Sequence, residues 1–309
     1  MIKKPEQMNF ADKKIFTIIS GLPGTGKTTL ALSAPNCLLI DTDEGLCRVN
    51  PAHRKDASIC KTYEEIVADC KEAEGQYDTI VIDTAGALID YLKEWAMRTD
   101  AKATKSNGGF SLQGFGIVKQ EFIRFTGELK KKFNVIFLFH EEKTKNNEDI
   151  FYDLVCEGSA KTLVYQPADL AGHLFIMNNK RYIGFTPTEQ YTAKSAYGIK
   201  GLVEVPELSD GEPNEFLTKL FAQVRANLAK ETEELNKDKA IYDKAISDGM
   251  KYVQAIASPK DVQVALDVIA ALPHALTSET ELKNAVKMKM KELGIVWDKA
   301  AKAYVVKNA

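Results

Sequence analysis

Gly21-Leu22-Pro23-Gly24-Thr25-Gly26-Lys27-Thr28 follows the pattern G-x-x-x-x-G-K-[ST], the glycine-rich loop that holds the phosphates of a nucleoside triphosphate. Its glycines let the backbone curl until successive N–H groups point into one concavity, a nest for anions. A helix that begins at the end of the loop adds its positive dipole end. Lys27 is placed to reach the β- and γ-phosphates of ATP and the Thr28 hydroxyl to ligate Mg2+, with Thr29 completing the binding stretch. The flanks agree with this reading. Residues 15–20 (Ile-Phe-Thr-Ile-Ile-Ser) form an apolar, β-branched run expected to be a buried strand. Residues 28–33 read as a short helix that Pro35 stops.

Downstream, two further apolar runs end in acids. Residues 36–41 (Asn-Cys-Leu-Leu-Ile-Asp) predict a second buried strand, followed by Thr42-Asp43-Glu44-Gly45. In open α/β sheets ligands bind at the carboxyl ends of the strands, so carboxylates there are candidates to activate an attacking water. Asp43 and Glu44 both fit that role, and the sequence does not separate them. Residues 78–84 (Asp-Thr-Ile-Val-Ile-Asp-Thr) predict a third strand whose terminal Asp83 would share the Mg2+ with Thr28. Between these runs, Thr62 with Glu65 three residues on is a capping box, opening a helix over 62–74. Residues 135–139 (Val-Ile-Phe-Leu-Phe) predict a fourth buried strand ending at His140, placed either to sense the γ-phosphate or as an ordinary strand-end histidine.

The remaining texture sets the organisation. The chain has 309 residues, 45% hydrophobic, with a formal net charge of -2. That is ample for a core and leaves no global positive field to draw nucleic acid. The five cysteines show no C-x-x-C and no grouping with histidine, as expected of reduced thiols in a cytoplasmic protein without a metal cluster. No run has the length or apolarity of a membrane span. Residues 98–116 read as a basic, glycine-rich loop in which Phe110 and Phe115 are either stacking rings for single-stranded DNA or anchors of a surface loop. Residues 141–149 are a second charged loop. Residues 174–185 predict a hairpin around Asn178-Asn179. The Pro- and Gly-bearing stretch 206–213 marks a linker, dividing a nucleotide-binding domain over 1–205 from a helical region over 214–309. That region holds helices over 214–235 and 237–256, a third opened by Ser258-Pro259, a fourth opened by a box at Ser278 and Glu281, and a tail with Trp297 and Tyr304.

Taken together, residues 21–29, 38–45, 80–84 and 134–141 resemble the phage-encoded AAA-type nucleotide-binding proteins with a RecA-like core, which include the Sak-type single-strand annealing recombinases. Residues 112–118 and 185–188, and the pair Ala193-Lys194, resemble that family too, so the likeness covers roughly residues 10–205. It implies a mostly parallel sheet flanked by helices, ATP with Mg2+, and action on single-stranded DNA in phage recombination. It also implies a ring or filament of identical subunits, with a phage or host single-strand-binding protein as a further partner. Asp43 or Glu44 would match the water-activating carboxylate, His140 the polar sensor, and Lys194 a group reaching ATP across a subunit interface. Where a second basic residue is expected after Lys194, the chain has Ser195-Ala196-Tyr197. The rival readings are a nucleotide-gated binding module with negligible hydrolysis and a small-molecule kinase, the latter disfavoured by the absence of an arginine-rich lid.

Overall fold

The structure, a computed structural model, describes residues 10, 12–146, 149–156, 160–209 and 211–306. In chain order the first elements are β1 (Phe16–Gly21), α1 (Lys27–Ala31), β2 (Cys37–Asp41), β3 (Ala57–Ile59), α2 (Tyr63–Glu72), β4 (Thr79–Asp83), α3 (Ala85–Thr99) and α4 (Leu112–Lys132). Then come β5 (Asn134–Asn146), β6 (Asp149–Leu154), α5 (Ala160–Tyr165), β7 (Leu170–Met177), β8 (Lys180–Gly184), β9 (Lys194–Ser195) and β10 (Leu202–Val205). The last are α6 (Phe216–Ala255), α7 (Pro259–Ala271), α8 (Ser278–Glu292), β11 (Ile295–Asp298) and β12 (Ala303–Val306).

The main sheet has the order β10-β8-β7-β1-β5-β4-β2-β3. The strands from β7 to β3 run parallel; at one edge β8 pairs antiparallel with β7, and β10 pairs antiparallel with β8. This is the α/β architecture expected. Parallel strands are covered on both faces, which is why β1, β2 and β4 are buried at every position. On one face Phe16, Ile18, Ile40, Ile82 and Phe137 pack with Leu88, Phe122 and Leu129 from the crossover helices. Phe16 and Phe122 both meet the Phe137 ring edge-on, at 4.9 and 5.9 Å between centroids. α2 opens as predicted: Thr62 Oγ1 accepts from Glu65 N at 3.2 Å and Glu65 Oε2 accepts from Thr62 N at 3.2 Å.

Several expectations are corrected. Residues 112–116 are the first turn of α4, capped by Ser111, whose Oγ accepts from Gly114 N at 3.0 Å, so the glycine-rich loop is shorter than 98–116. Residues 141–146 continue β5 past His140 and pair with β6, so a hairpin strand stands where a charged loop was expected. Alternating charges there sit on a two-stranded ribbon, a pattern a loop and an exposed strand share. Residues 214–235 and 237–256 are one continuous helix, α6. The predicted box at Ser278 does not form: Ser278 is fully buried inside α8, and the N-cap is Thr277, which makes no side-chain cap hydrogen bond.

The chain forms two compact units, Ala11–Asn227 and one holding Leu228–Ala309, so the division falls inside α6 and not at 206–213. The reason is burial. Leu217, Leu220, Phe221 and Val224 are core residues, and Leu217 N donates to Ser33 Oγ at 2.9 Å. The later unit packs α7, α8 and the β11–β12 hairpin around Val262, Ile269, Leu282 and Val286. There Trp297 and Tyr304 are cross-strand partners with rings 4.9 Å apart, edge to face. Among the described residues no helix is long and apolar enough to cross a membrane.

Candidate active site

β1 is flanked by β5 and β7, and the glycine-rich loop leaves its carboxyl end. Gly24 and Gly26 sit at φ +79° and +92°, backbone that only glycine adopts without strain. A Cβ on Gly21 would lie 2.4 Å from the backbone oxygen of Leu174, so this position admits no side chain. Thr25 closes the loop by donating its hydroxyl to Leu22 O at 2.8 Å. Lys27 Nζ donates to Gly21 O at 2.9 Å and to Leu22 O at 3.0 Å, which holds the ammonium against the loop. Burial lowers the Lys27 pKa, opposed by the carboxylates of Asp83, Glu141 and Asp43. α1 spans only five residues, starting at Lys27, so its dipole adds less than a full helix would. The anion-holding capacity rests on the loop amides and Lys27.

Beside the loop, Thr28 Oγ1 donates to Asp83 Oδ2 at 2.6 Å, joining the start of α1 to the tip of β4. Thr42 locks the neighbouring tips: its N donates to Asp83 O at 2.8 Å, and its Oγ1 accepts from Thr84 N at 2.8 Å. Burial, together with the nearby Asp43 and Asp41, pushes the Asp83 pKa up to about 6. A carboxylate under such strain beside a hydroxyl suits a divalent cation. Among the described residues no cluster of three or more His, Cys, Asp or Glu forms a protein-only metal cage. Mg2+ is commonly held through one or two carboxylates together with substrate phosphates and water. Thr28 and Asp83 are the residues that could hold it.

The acidic turn after β2 resolves into distinct parts. Asp41 is buried and accepts from Gly45 N and Leu46 N, both at 2.9 Å, so it builds the turn. Asp43 faces the site: its Oδ2 lies 3.9 Å from His140 Nε2 and 3.6 Å from Arg48, and its buried Oδ1 has no hydrogen-bond partner. Glu44 adopts φ +57° and turns to solvent, 3.4 Å from Lys61. The structure therefore brings Asp43 to the loop and leaves Glu44 outside. His140 is level with Gly21 on the adjoining strand, and its buried Nδ1 is unpartnered. Burial and the nearby Lys27 lower its pKa, so the ring is neutral at physiological pH.

Other expectations place less well. Lys194 pairs with Ala171, level with Ile18 on β1, and its Nζ donates to Gln166 O at 3.1 Å. It is remote from the phosphate loop of its own chain. Arg98 is taken up by Glu64 at 2.9 Å. Phe110 packs against the core and meets Phe115 edge-on at 4.9 Å, so it anchors the loop, while Phe115 remains exposed.

Two site features escaped sequence reading. Glu141 is buried, and its Oε1 lies 3.0 Å from Nδ1 of the buried His173, whose ring stacks on Tyr191 at 4.3 Å. A histidine inside the apolar run of β7 was the available signal. Arg181 of β8 donates its Nε to Thr25 O at 3.2 Å and lies over Gly26. Nothing local marks it; only the hairpin register carries it to the loop.

A search of curated proteins finds no match to the chain. Residues 13–197 match the family model of the AAA domain, the span that contains the loop, both acidic strand tips and His140, and more than half of the chain; the chain belongs to this family of AAA-type nucleotide-binding proteins.

Proposed function

We propose that the chain is a Mg2+-dependent ATPase that acts on single-stranded DNA in phage recombination. The observation that carries the nucleotide part is the Thr28–Asp83 contact of 2.6 Å beside the loop. Phosphoryl transfer needs positioning and charge neutralisation more than covalent chemistry. The loop amides and Lys27 hold the triphosphate, and Thr28 with Asp83 hold the ion. Mg2+ bound there would supply charge neutralisation at the phosphates. Asp43, whose Oδ2 lies 3.9 Å from His140 Nε2, orients the attacking water. His140, neutral and adjacent, donates or accepts a hydrogen bond at the γ-phosphate end.

The DNA part is supported by the resemblance to annealing recombinases and by exposed Phe115 beside the glycine-rich turn. Assembly into a ring or filament belongs to the same reading, and Lys194 would then act across a subunit interface. The engagement of Asp43 by Arg48 at 3.6 Å favours a second reading, a nucleotide-gated binding module with negligible turnover.

Single-turnover ATP hydrolysis, with and without an oligonucleotide, separates the two. The ATPase reading expects turnover that DNA raises and that Lys27→Ala abolishes; full turnover in that variant refutes the site. Oligonucleotide binding should weaken steeply with added salt, as phosphate contacts require. No binding at low salt with an ATP analogue removes the DNA part and leaves the nucleotide part standing.

A further inference from the structure

In the later unit α7 and α8 are joined by a turn over residues 272–277 and followed, after Leu293 and Gly294, by the β11–β12 hairpin. Helix, turn, helix is an arrangement that lays its second helix into the major groove of a duplex. The parts are held firmly. Gly249 lets α6 approach α8, since a Cβ there would lie 2.5 Å from Leu282 Cδ1. In the turn, His274 Nε2 lies 2.6 Å from Ile269 O on α7, and its Nδ1 lies 3.0 Å from Ser278 Oγ on α8. Leu282 and Val286 of α8 and Ile295 of the hairpin share one buried core.

α8 therefore turns its other side to solvent. Lys283, Lys287 and Lys291 recur every four residues and form one row along it, with Asn284 and Met288 beside them, and all five are exposed. The hairpin turn adds exposed Lys299 and Lys302. Like charges one turn apart disfavour a helix, a cost that an anionic partner removes. The acids of this stretch are already engaged. Glu279 takes Lys283 at 2.6 Å, and Glu292 faces Lys289 at 3.3 Å. Glu281 accepts from Tyr242 Oη at 2.7 Å, and Asp298 accepts from Ala300 N at 2.7 Å inside the hairpin turn. Lys287, Lys291, Lys299 and Lys302 make no ion pair among the described residues. From Leu282 to Val306 six lysines stand against two acids, in a chain whose formal net charge is -2. A local positive surface of this kind complements a phosphate backbone. The outer face of α8 carries no aromatic ring on which unpaired bases could stack. A helix about 10–12 Å across also matches the roughly 12 Å major groove of B-form DNA.

We propose that the later unit binds double-stranded DNA, with α8 in the major groove, Asn284 towards the base edges, Lys287 and Lys291 on phosphates, and Lys299 and Lys302 adding phosphate contacts from the hairpin turn. The proposal rests on the charge and shape of this unit alone. It goes beyond the single-strand reading, which concerns the first unit.

The test is fluorescence anisotropy with the full chain, without nucleotide, titrated onto a mixed-sequence duplex and onto one of its single strands across a salt series. The wild type binds the duplex, with an affinity that falls steeply as salt is added. Lys287→Gln together with Lys291→Gln weakens duplex binding about tenfold at low salt and lowers the salt slope by about two, one for each phosphate contact. Its single-strand affinity and melting temperature stay as in the wild type, which reports that it is folded. Lys299→Gln together with Lys302→Gln lowers the slope in the same way. Lys287→Arg together with Lys291→Arg, which keeps both charges, retains the slope. No duplex binding by the wild type at low salt, an unchanged slope in either Gln pair, or an equal loss on the single strand overturns the proposal. So does a poly-glutamate peptide that binds through these lysines when the duplex does not, which assigns the face to an acidic protein. Lys27→Ala leaves duplex binding unchanged, so failure here and failure of the triphosphate site are told apart.

Discussion

At the scale of the residue, Asp83 carries a stability cost. Its pKa in the folded chain, about 6, is above the ordinary 3.8, because burial and two neighbouring aspartates disfavour the charge. A carboxyl raised in this way costs nothing below pH ~4, where it is neutral in both states, and its cost grows as pH rises through about 6. At neutral pH without Mg2+ the ionised group therefore opposes folding. Asp83→Asn, which can still accept from Thr28, should stabilise the Mg2+-free chain at pH 7.5 by roughly 1–3 kcal/mol, with the gain fading towards pH 4. Urea denaturation of both proteins at the two pH values measures this, and a gain that does not depend on pH would refute the electrostatic cause. The same variant should lose Mg2+-dependent nucleotide binding. The place of Asp83 at the tip of β4 was legible because a continuous apolar run ending in an acid reads as a buried strand with the carboxylate at its end. Which of Asp43 and Glu44 lies beside His140 was not legible, because it depends on the φ +57° at Glu44, which turns that side chain outward.

At the scale of the element, the β7–β8 hairpin links local turn chemistry to the site. Met177 and Lys180 face each other across Asn178 and Asn179, which have φ of 51° and 58°. Paired left-handed residues make the tight turn that matches strand twist, and asparagine tolerates that conformation where β-branched residues do not. Arg181 is two residues past the turn, so the turn sets its reach to Thr25 O. Asn179→Val should destabilise the chain by about 1–2 kcal/mol and weaken ATP binding. Asn179→Gly should do neither. Thermal melts and ATP titrations check both. An Asn179→Val chain with unchanged stability would show that the turn does not hold the hairpin. The hairpin itself was readable from its alternating strands and asparagine turn. The longer β5 was not, since nothing in residues 141–146 distinguishes a ribbon from a charged loop until β6 pairs with it.

At the scale of the whole molecule, the boundary between the two units makes a prediction that contrasts with the composition of the linker. A chain ending at residue 213 loses Leu217, Leu220, Phe221 and Val224, all buried. Each such side chain contributes about 1.5–3 kcal/mol, and together they rival a domain's net stability of about 5–15 kcal/mol. A chain ending at Asn227 keeps them and preserves the first compact unit. We expect the 227 truncation to fold cooperatively and retain ATP binding, and the 213 truncation to be unfolded or aggregated. Circular dichroism and ATP titration of the two fragments decide it; a stable, ATP-binding 213 fragment would refute the boundary.

The amino-acid sequence alone determined the phosphate loop, the buried parallel strands around it, the acid at the tip of β4 and the cap of α2. These follow from short-range rules: glycine where φ is positive, continuous apolar runs where both sheet faces are covered, paired side chains where a helix begins. The tertiary structure decided the rest. Strand order and register put Arg181 over Gly26, His173 against Glu141 and Asp43 beside His140, and kept Lys194 away from the loop. Such meetings join residues far apart in the chain, and their distances are set by which strands pair and at what offset, which no single stretch of sequence encodes.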